Sequence, residues 1–303
     1  MDLTVKLADT KVNIAFLSQA ERAIHLCNQY FHGFLSPDQE KDAEAEVSIL
    51  QKPNSMFPLR GKAGYRVFEQ LLPAQDVVAW LKKSSEYTEN FPISEKTICS
   101  YCLGGLLLFD PDTAKGGIYL LNQGRSCFQP LYRLLWMYFA QALGERAGCF
   151  VHAAALARDR EGHLFMGNSG SGKTTLAKHC TGCHVLSDDA PIITKKNGEL
   201  FVYPSPYHQM GLEESLDKDV IQMSAKIKGI YFLIKDTQFF LENVSSGEAL
   251  LMILKHYIHF FPYLSTQAKM ALFDLFFEAC YEIPRYHLHF RRDQDVWSMI
   301  NNK

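Results

Sequence analysis

Apolar and polar positions alternate in short runs along the first part of the chain. Alternation typical of half-buried strands occurs in LTVKLADTKVNIAFL and in AEAEVSIL, while helical spacing occurs in AQDVVAWLKKSSEY. A hairpin is predicted over TICSYCLGGLLLFDPDTAKGGIYLL, with Asp110, Pro111 and Asp112 in its turn. Residues 1–125 therefore predict a small α+β domain, a candidate for acceptor recognition.

The pattern changes after residue 125. A strongly apolar helix is predicted over RSCFQPLYRLLWMYFAQALGERAG, ending near Gly144 or Gly148. Short strands are predicted in CFVHAAALARD, GHLFMG, HVLS, ELFVYPSP, KGIYFLIK, TQFFLENV and YHLHFRR. Helices are predicted in KTTLAKHC, at about 246–260 and 265–281, and in DVWSMINN. Strands outnumber helices, so residues 126–303 predict a sheet-centred α/β domain.

Composition and charge exclude several classes of protein. The formal net charge is −2 and no Lys/Arg-rich block occurs, which argues against a nucleic-acid partner. The N-terminus has no apolar core of the signal-peptide type, and no run of 18 apolar residues is present. We therefore predict a cytoplasmic protein that does not enter a membrane.

The segment GNSGSGKT fits the phosphate-loop pattern at Gly167, Gly172, Lys173 and Thr174. The pattern predicts that backbone amides cradle phosphates, that Lys173 reaches the β- and γ-phosphates, and that Thr174 ligates Mg²⁺. A strand precedes the loop and a helix follows it, which is the context that such a loop requires. The expected contacts with ATP come from Gly167, Asn168, Ser169, Gly170, Ser171, Gly172, Lys173, Thr174 and Thr175.

Two acids follow the lysine closely, at Asp188 and Asp189. A short helix from Lys173 is predicted to return the chain to the strand HVLS, parallel to and beside HLFM. The acids would then lie near the γ-phosphate, one as a Mg²⁺ ligand, for which Asp188 is a candidate, and the other as a proton acceptor. The sequence does not decide which acid takes which role. In an alternative interpretation, Asp189 only begins a turn and Asp188 alone is functional.

The order FVHAAAL, GNSGSGKT and SDD resembles that of the HPr serine kinase/phosphorylase family, whose core is related to ATP-dependent PEP carboxykinase. The resemblance covers roughly residues 148–206, and a weaker resemblance occurs in EIPRYHLHF. It implies a P-loop kinase core that uses ATP and Mg²⁺, with His152 beside the phosphates for positioning or proton handling. In layout and length the chain is most similar to small HPr-kinase-like proteins of peptide-modification gene cassettes of the SynChlorMet type.

The chain departs from that family in a downstream segment. The bifunctional enzymes carry a glutamate and an Arg–Gly pair there, whereas KIKGIYFL offers Lys226, Lys228 and Gly229. Phosphorylase activity and HPr as the acceptor are therefore not expected. A further cation for the transition state is expected, and spacing does not choose among the candidates Arg158, Arg160, Arg285, Arg291 and Arg292.

The chain contains eight cysteines, which we expect to be reduced. The pairs Cys99/Cys102 and Cys180/Cys183 resemble zinc half-sites, but they are far apart in sequence. The segment CTGCH matches a haem-attachment motif. Haem there would displace the sheet that carries the acids, so we interpret that match as coincidental.

Two classes of function fit these observations. The preferred hypothesis is an ATP-dependent kinase that transfers the γ-phosphoryl group to a hydroxyl of a peptide, a protein or a small molecule. The alternative is a nucleotide-binding module that gates assembly of a peptide-maturation complex without phosphotransfer. A zinc protein is a third possibility, and the sequence leaves the acceptor and the oligomeric state open.

Overall fold

A computed structural model describes residues 2–16, 21–36, 43–51, 70–72, 94, 96–102, 105–120, 128–179, 181–207, 218–291 and 296–300. The chain divides into two compact units. The first comprises Met1–Glu145 with Pro262–Ala268, and the second comprises Arg146–Phe261 with Lys269–Lys303. Each unit is built on one sheet with helices, which confirms the predicted α/β class.

The first unit contains a sheet with the strand order β1-β2-β3-β7-β6-β5-β4. Its strands are β1 (Asp2–Leu7), β2 (Thr10–Phe16), β3 (Ala45–Gln51), β4 (Gln70–Leu72), β5 (Ile98–Cys102), β6 (Gly105–Asp110) and β7 (Lys115–Leu120). Its helices are α1 (Glu21–Tyr30), a 3₁₀ turn (His32–Phe34) and α2 (Phe128–Gly144). The segment LTVKLADTKVNIAFL, predicted to have strand character, forms the β1–β2 hairpin, with Ala8 at a left-handed φ of 53° in the turn.

Helix α2 packs against β5, β6 and β7 through its apolar face. Two glycines permit this close approach, since a Cβ on Gly105 would lie 2.5 Å from Leu134 and one on Gly116 would lie 2.5 Å from the Tyr138 ring. The Tyr138 hydroxyl also donates to the Ala114 carbonyl at 2.9 Å. This packing extends the first compact unit to Glu145, whereas the predicted domain boundary at residue 125 places α2 in the second domain.

The second unit contains a larger sheet with the order β11-β9-β10-β14-β13-β12-β8, to which β16 and then β15 are added beside β14. Its strands are β8 (Cys149–Phe150), β9 (Ala153–Arg158), β10 (Glu161–Met166), β11 (His184–Ser187), β12 (Ile192–Lys196), β13 (Glu199–Tyr203), β14 (Ala225–Lys235), β15 (Phe240–Asn243) and β16 (Arg285–Phe290). Its helices are α3 (Lys173–Lys178), α4 (Lys218–Ile221), α5 (Ser246–Met252), which continues as a π turn (Ile253–Tyr257), and α7 (Trp297–Ile300). A 3₁₀ turn (Phe261–Tyr263) and helix α6 (Thr266–Glu282) run across the division between the units.

The predicted pairing of HVLS beside HLFM is wrong, because β9 lies between β11 and β10. Strand β9 is antiparallel to both neighbours, with Met166 opposite Ala153 and Ser187 opposite Ala155. Strands β10 and β11 therefore run in the same direction, as predicted, but they are not adjacent. The start of β9 lies at the sheet edge where β10 and β11 both end.

Strand β14 is the longest strand in the described part of the chain and joins two parts of the sheet. Its first residues pair with β13, while Ile230–Lys235 pair in parallel with β16. Along β10 the register shifts by one residue, since Gly162 pairs with Ile227 and His163 pairs with Gly229. Lys228 is the extra residue of this bulge.

One face of this sheet is covered by α3 and α7. The buried cluster includes Leu176 from α3, Trp297 from α7, and Phe165 and Tyr231, whose rings stack at 5.0 Å. Burying side chains of this size contributes about 1.5–3 kcal/mol each. The cluster holds the strand before the loop, and the helix after it, against one core.

The helix predicted at 246–260 ends early. Ser245 caps α5 by accepting from the Glu248 amide, and after the π turn the backbone becomes extended at Ile258, opposite Val151. The helix predicted at 265–281 and the strand predicted in YHLHFRR are confirmed as α6 and β16. The helix predicted in AQDVVAWLKKSSEY lies outside the described residues.

None of the helices in the described ranges is long and apolar enough to cross a membrane.

His163, buried in β10 beneath Trp297, provides a test of this core. Burial lowers the pKa of His163 to about 4, below its unfolded value of about 6.5. The neutral ring is favoured in the folded state, so its stability contribution is complete above pH 6.5 and falls as the pH drops. Between pH 6.5 and 4.5 we expect a loss of about 2 kcal/mol, which His163→Gln should abolish in urea unfolding titrations.

The exposed His256 supplies the control, because His256→Gln should leave the pH dependence of the wild type intact. An unchanged pH dependence in His163→Gln would contradict this account of the core.

Candidate functional site

The glycine-rich loop, residues 167–172, connects the end of β10 to the start of α3. Gly170 and Gly172 have left-handed φ values of 79° and 108°, which L side chains rarely adopt. Space is also limiting at Gly167, where a Cβ would lie 2.4 Å from Ser171 Oγ. The glycines predicted for a phosphate-binding loop thus have local structural reasons in this fold.

Lys173, the first residue of α3, is buried with its surface 5% exposed. Its Nζ donates to the Gly167 carbonyl at 2.6 Å and to the Asn168 carbonyl at 3.3 Å, and it lies 2.9 Å from His152 Nε2. Burial lowers the pKa of Lys173, while the charges of Asp189 and Asp188 oppose that shift. The ammonium group is therefore held at the mouth of the loop by neutral groups, with both acids close enough to influence it.

His152 joins this lysine to one of the two acids. Its Nδ1 lies 3.0 Å from Asp189 Oδ1, while its Nε2 faces Lys173. The backbone fixes the arrangement, since the His152 amide donates to the Tyr257 carbonyl and the Ala153 amide donates to the Asp189 carbonyl. The structure thus brings His152, Lys173 and Asp189 together, which the insertion of β9 makes possible.

Asp188 and Asp189 follow the end of β11 and differ in their surroundings. Asp188 is buried, whereas Asp189 is partly exposed. The Ser187 hydroxyl accepts from the Asp189 and Ala190 amides and fixes the turn. Burial of Asp189 disfavours its charge, but the hydrogen bond from His152 and the charges of His259 and Lys173 hold its pKa below the usual range. Asp189 is therefore ionised at neutral pH.

His259 is a residue of this site that the sequence analysis missed. Its ring lies perpendicular to the His152 ring with the centroids 5.4 Å apart, and its charge favours the ionised form of Asp189. The His259 amide donates to the Phe150 carbonyl, which fixes the segment after the π turn beside the start of β9. In the sequence His259 only interrupts an apolar run, so no motif signals its place.

The candidate arginines separate by position. Arg291 follows the end of β16 and lines a cavity with Ser171 and Gly172 of the loop. Arg158 lies at the opposite edge of the sheet, 5.6 Å above the Trp297 ring, and Arg285 donates to the Ile283 carbonyl at the start of β16. Arg160 lies in the β9–β10 turn, and Arg292 lies outside the described residues.

The lysines of KIKGIYFL lie away from the loop. Lys226 pairs with Glu199, and Lys228 lies 3.6 Å from Glu161, at the beginning of β10 rather than at its end. These two lysines therefore lie at the end of β10 that is remote from the loop.

The described cysteines do not form a zinc site. Cys99 and Cys102 are free and buried, and burial raises the pKa of both thiols to about 12. Cys183 is disulfide-bonded, contrary to the expected reduced state. Among the described residues no group of three or more His, Cys, Asp or Glu side chains is placed to hold a metal ion.

The loop residues fit a nucleotide with Mg²⁺. The Ser171 hydroxyl is buried and has no hydrogen-bond partner in the ranges that the structure describes, and nothing lies within 4 Å of a Cβ on Gly170. Mg²⁺ is commonly held by one or two carboxylates together with phosphates and waters, so Thr174 and Asp188 are a sufficient protein contribution. A polyphosphate suits the combination of the Ser171 hydroxyl, the open space beside Gly170 and the buried ammonium group of Lys173.

The two left-handed glycines of the loop give a matched pair of substitutions. Gly170→Ala meets open space and should cost about 1–2 kcal/mol for its backbone conformation alone. Gly172→Ala also places a Cβ 2.9 Å from the Phe290 ring, so overpacking should add about 1–3 kcal/mol. Thermal unfolding of the two variants measures the difference, and equal midpoints would contradict the contact between the loop and Phe290.

Comparison with known proteins places the chain in a family. No curated protein matches it. Among solved structures, the HPr(Ser) kinase/phosphatase from Coxiella burnetii matches at 14% identity over 50% of this chain and 87% of that chain. Its TM-score of 0.29 is too low to support an argument about function.

A family model described as SynChlorMet cassette protein ScmC matches residues 131–302. The match spans more than half of the 303 residues and includes the loop, His152, both acids and the cavity beside Arg291. The chain therefore belongs to the family of the SynChlorMet cassette protein ScmC.

Proposed function

We propose that this chain is an ATP-dependent kinase, with a core of the HPr kinase type, that transfers a γ-phosphoryl group to a hydroxyl. The observation that carries the proposal is the continuous set of contacts from Lys173 through His152 to Asp189. A phosphate-binding cation and an ionised carboxylate are thereby fixed on either side of one imidazole. Phosphoryl transfer depends mainly on such positioning and on charge stabilisation.

Lys173 and the loop bind the phosphates in this proposal. Its Nζ is held by the Gly167 and Asn168 carbonyls, both neutral acceptors, so its charge remains available to an anion. Burial strengthens an electrostatic contact made by this ammonium group, because little water screens it. Asn168, Ser169, Gly170, Ser171, Gly172, Thr174 and Thr175 complete the proposed contact set.

Thr174 and Asp188 are the proposed Mg²⁺ ligands. Bound Mg²⁺ supplies charge that neutralises the phosphate oxygens during transfer. Asp188 is suited to hold it because its buried position, fixed by the Ser187 turn, leaves it little conformational freedom. Neither residue needs to move a proton in this assignment.

Asp189 is the proposed partner of the acceptor hydroxyl. Its low pKa makes it a carboxylate at neutral pH, so it can accept a hydrogen bond from the attacking hydroxyl and take its proton late in transfer. His152 holds Asp189 at the edge where β10 and β11 both end, and His259 supports the ionised state. His152 is thus proposed as a positioning residue.

The setting and the acceptor are proposed from the family to which the chain belongs. Membership in a cassette-protein family supports a role in peptide modification, so a hydroxyl of a peptide or protein is the proposed acceptor. A hydroxyl of a small molecule is the other candidate acceptor. We also propose a cytoplasmic location for the protein. Phosphorylase activity is not part of the proposal.

Asp189→Asn tests the catalytic assignment. It should leave Mg²⁺-ATP affinity within about threefold of the wild type and lower phosphoryl transfer at least 10²-fold, because a positioned proton acceptor contributes that much. Asp188→Asn should make ATP binding less dependent on Mg²⁺, and it should also lower phosphoryl transfer. Calorimetry gives the affinities, and release or transfer of labelled γ-phosphate, with and without cell extract, gives the activity.

Asp274→Asn is the control, since Asp274 is exposed on α6 and is not one of the residues proposed for the site. Binding without turnover in the wild type under every condition would replace the kinase by the ATP-binding gating module. Failure of the wild type to bind Mg²⁺-ATP would refute both functions.

A further inference from the structure

A cavity of about 200 Å³ lies beside the loop, on the side of β10 opposite to the acids. It is lined by Ser171, Gly172, Lys235, Asp236, Phe290 and Arg291. The sheet order explains its position: β9 and β11, with His152 and the acids, flank β10 on one side, and β14 and β16 flank it on the other. The proposed function leaves this cavity without a role.

Strands β14 and β16 form the wall of the cavity because they continue past the end of β10. Met166, the last residue of β10, pairs with Phe232, and Lys235 lies three residues further along β14, about 10 Å beyond. Lys235 pairs with Phe290, and the Asp236 amide donates to the Phe290 carbonyl at 3.2 Å. The wall is therefore held by sheet pairing at the level of the loop.

The charges of the lining exclude a purely anionic occupant. Lys235 and Arg291 are exposed cations, but the lining also contains the carboxylate of Asp236. Its Oδ1 accepts from the Thr237 and Gln238 amides, and its Oδ2 lies 2.8 Å from His289 Nδ1, so the carboxylate is fixed. An occupant with hydroxyls and an aromatic ring, joined to phosphates in the neighbouring loop, suits this mixed lining, which also includes Phe290.

The geometry of phosphoryl transfer favours the same kind of occupant for the cavity. In phosphoryl transfer the attacking and leaving oxygens lie roughly in line on opposite sides of phosphorus. The acceptor hydroxyl belongs on the side of Asp189, so the leaving diphosphate and its nucleoside belong on the side of β14 and β16.

We propose that this cavity is the nucleoside subsite, where Lys235, Asp236, Phe290 and Arg291 face the ribose and base of a ribonucleoside triphosphate whose phosphates lie in the loop. The inference rests on the proposed phosphate-binding role of the loop. It adds a distinct claim, that the protein recognises the nucleoside as well as the polyphosphate.

Calorimetric titration of the full chain with Mg²⁺-ATP and with Mg²⁺-tripolyphosphate at fixed salt tests the subsite. Wild type should bind ATP at least tenfold more tightly than tripolyphosphate. Lys235→Ala and Arg291→Ala should each raise the Kd for ATP about three- to tenfold and change the Kd for tripolyphosphate less than twofold. Lys226→Ala removes the same charge from the far end of β14, where Lys226 pairs with Glu199, and should change neither.

The outcomes separate the subsite from the proposed function. Tripolyphosphate binding as tight as ATP binding would overturn the subsite while leaving the loop as a phosphate site. Equal losses for both ligands in the cavity variants would overturn it too, because the two cations would then serve only the phosphates. Failure of the wild type to bind either ligand would instead refute the phosphate-binding role on which the inference rests.

Discussion

The burial of one charge, the Lys173 ammonium group, constrains everything around it. A buried cation is costly unless polar groups surround it, and here two loop carbonyls and an imidazole do so. The carbonyls require the turn that the glycines permit, and the imidazole requires that β9 begin between the loop and the acids. Loop, strand order and acid placement thus meet a single electrostatic requirement.

Local features of the candidate site could be predicted from sequence, and non-local ones could not. The strand–loop–helix order around Gly167 and Lys173 follows from neighbouring residues, and the structure contains it as β10 and α3. The position of β9 between β10 and β11 depends on pairing between distant segments, which periodicity does not encode. The positions of His259 beside His152 and of Arg291 beside the loop depend on such pairing too, so the sequence did not signal the first and did not distinguish the second from the other arginines.

Departures in the rest of the fold have similar causes. The segment around left-handed Ala8, predicted only to have strand character, forms a hairpin, and the π turn at Ile253–Tyr257 ends a predicted helix where Ile258 pairs with Val151. In both places the apolar pattern is correct and the backbone geometry is set by a contact outside the pattern. The disulfide at Cys183 was likewise not predicted, since cysteine spacing alone does not determine pairing.

The bulge at Lys228 has a consequence for how the gene can change. Side chains along a strand alternate between faces, so one extra residue near the start of β14 sets which face each later residue takes. A deletion of that single codon would reverse the alternation as far as Lys235, well away from the lesion. Point substitutions at the exposed Lys228 are tolerated by the same backbone. The number of residues at this bulge therefore matters more than the type of residue that occupies it.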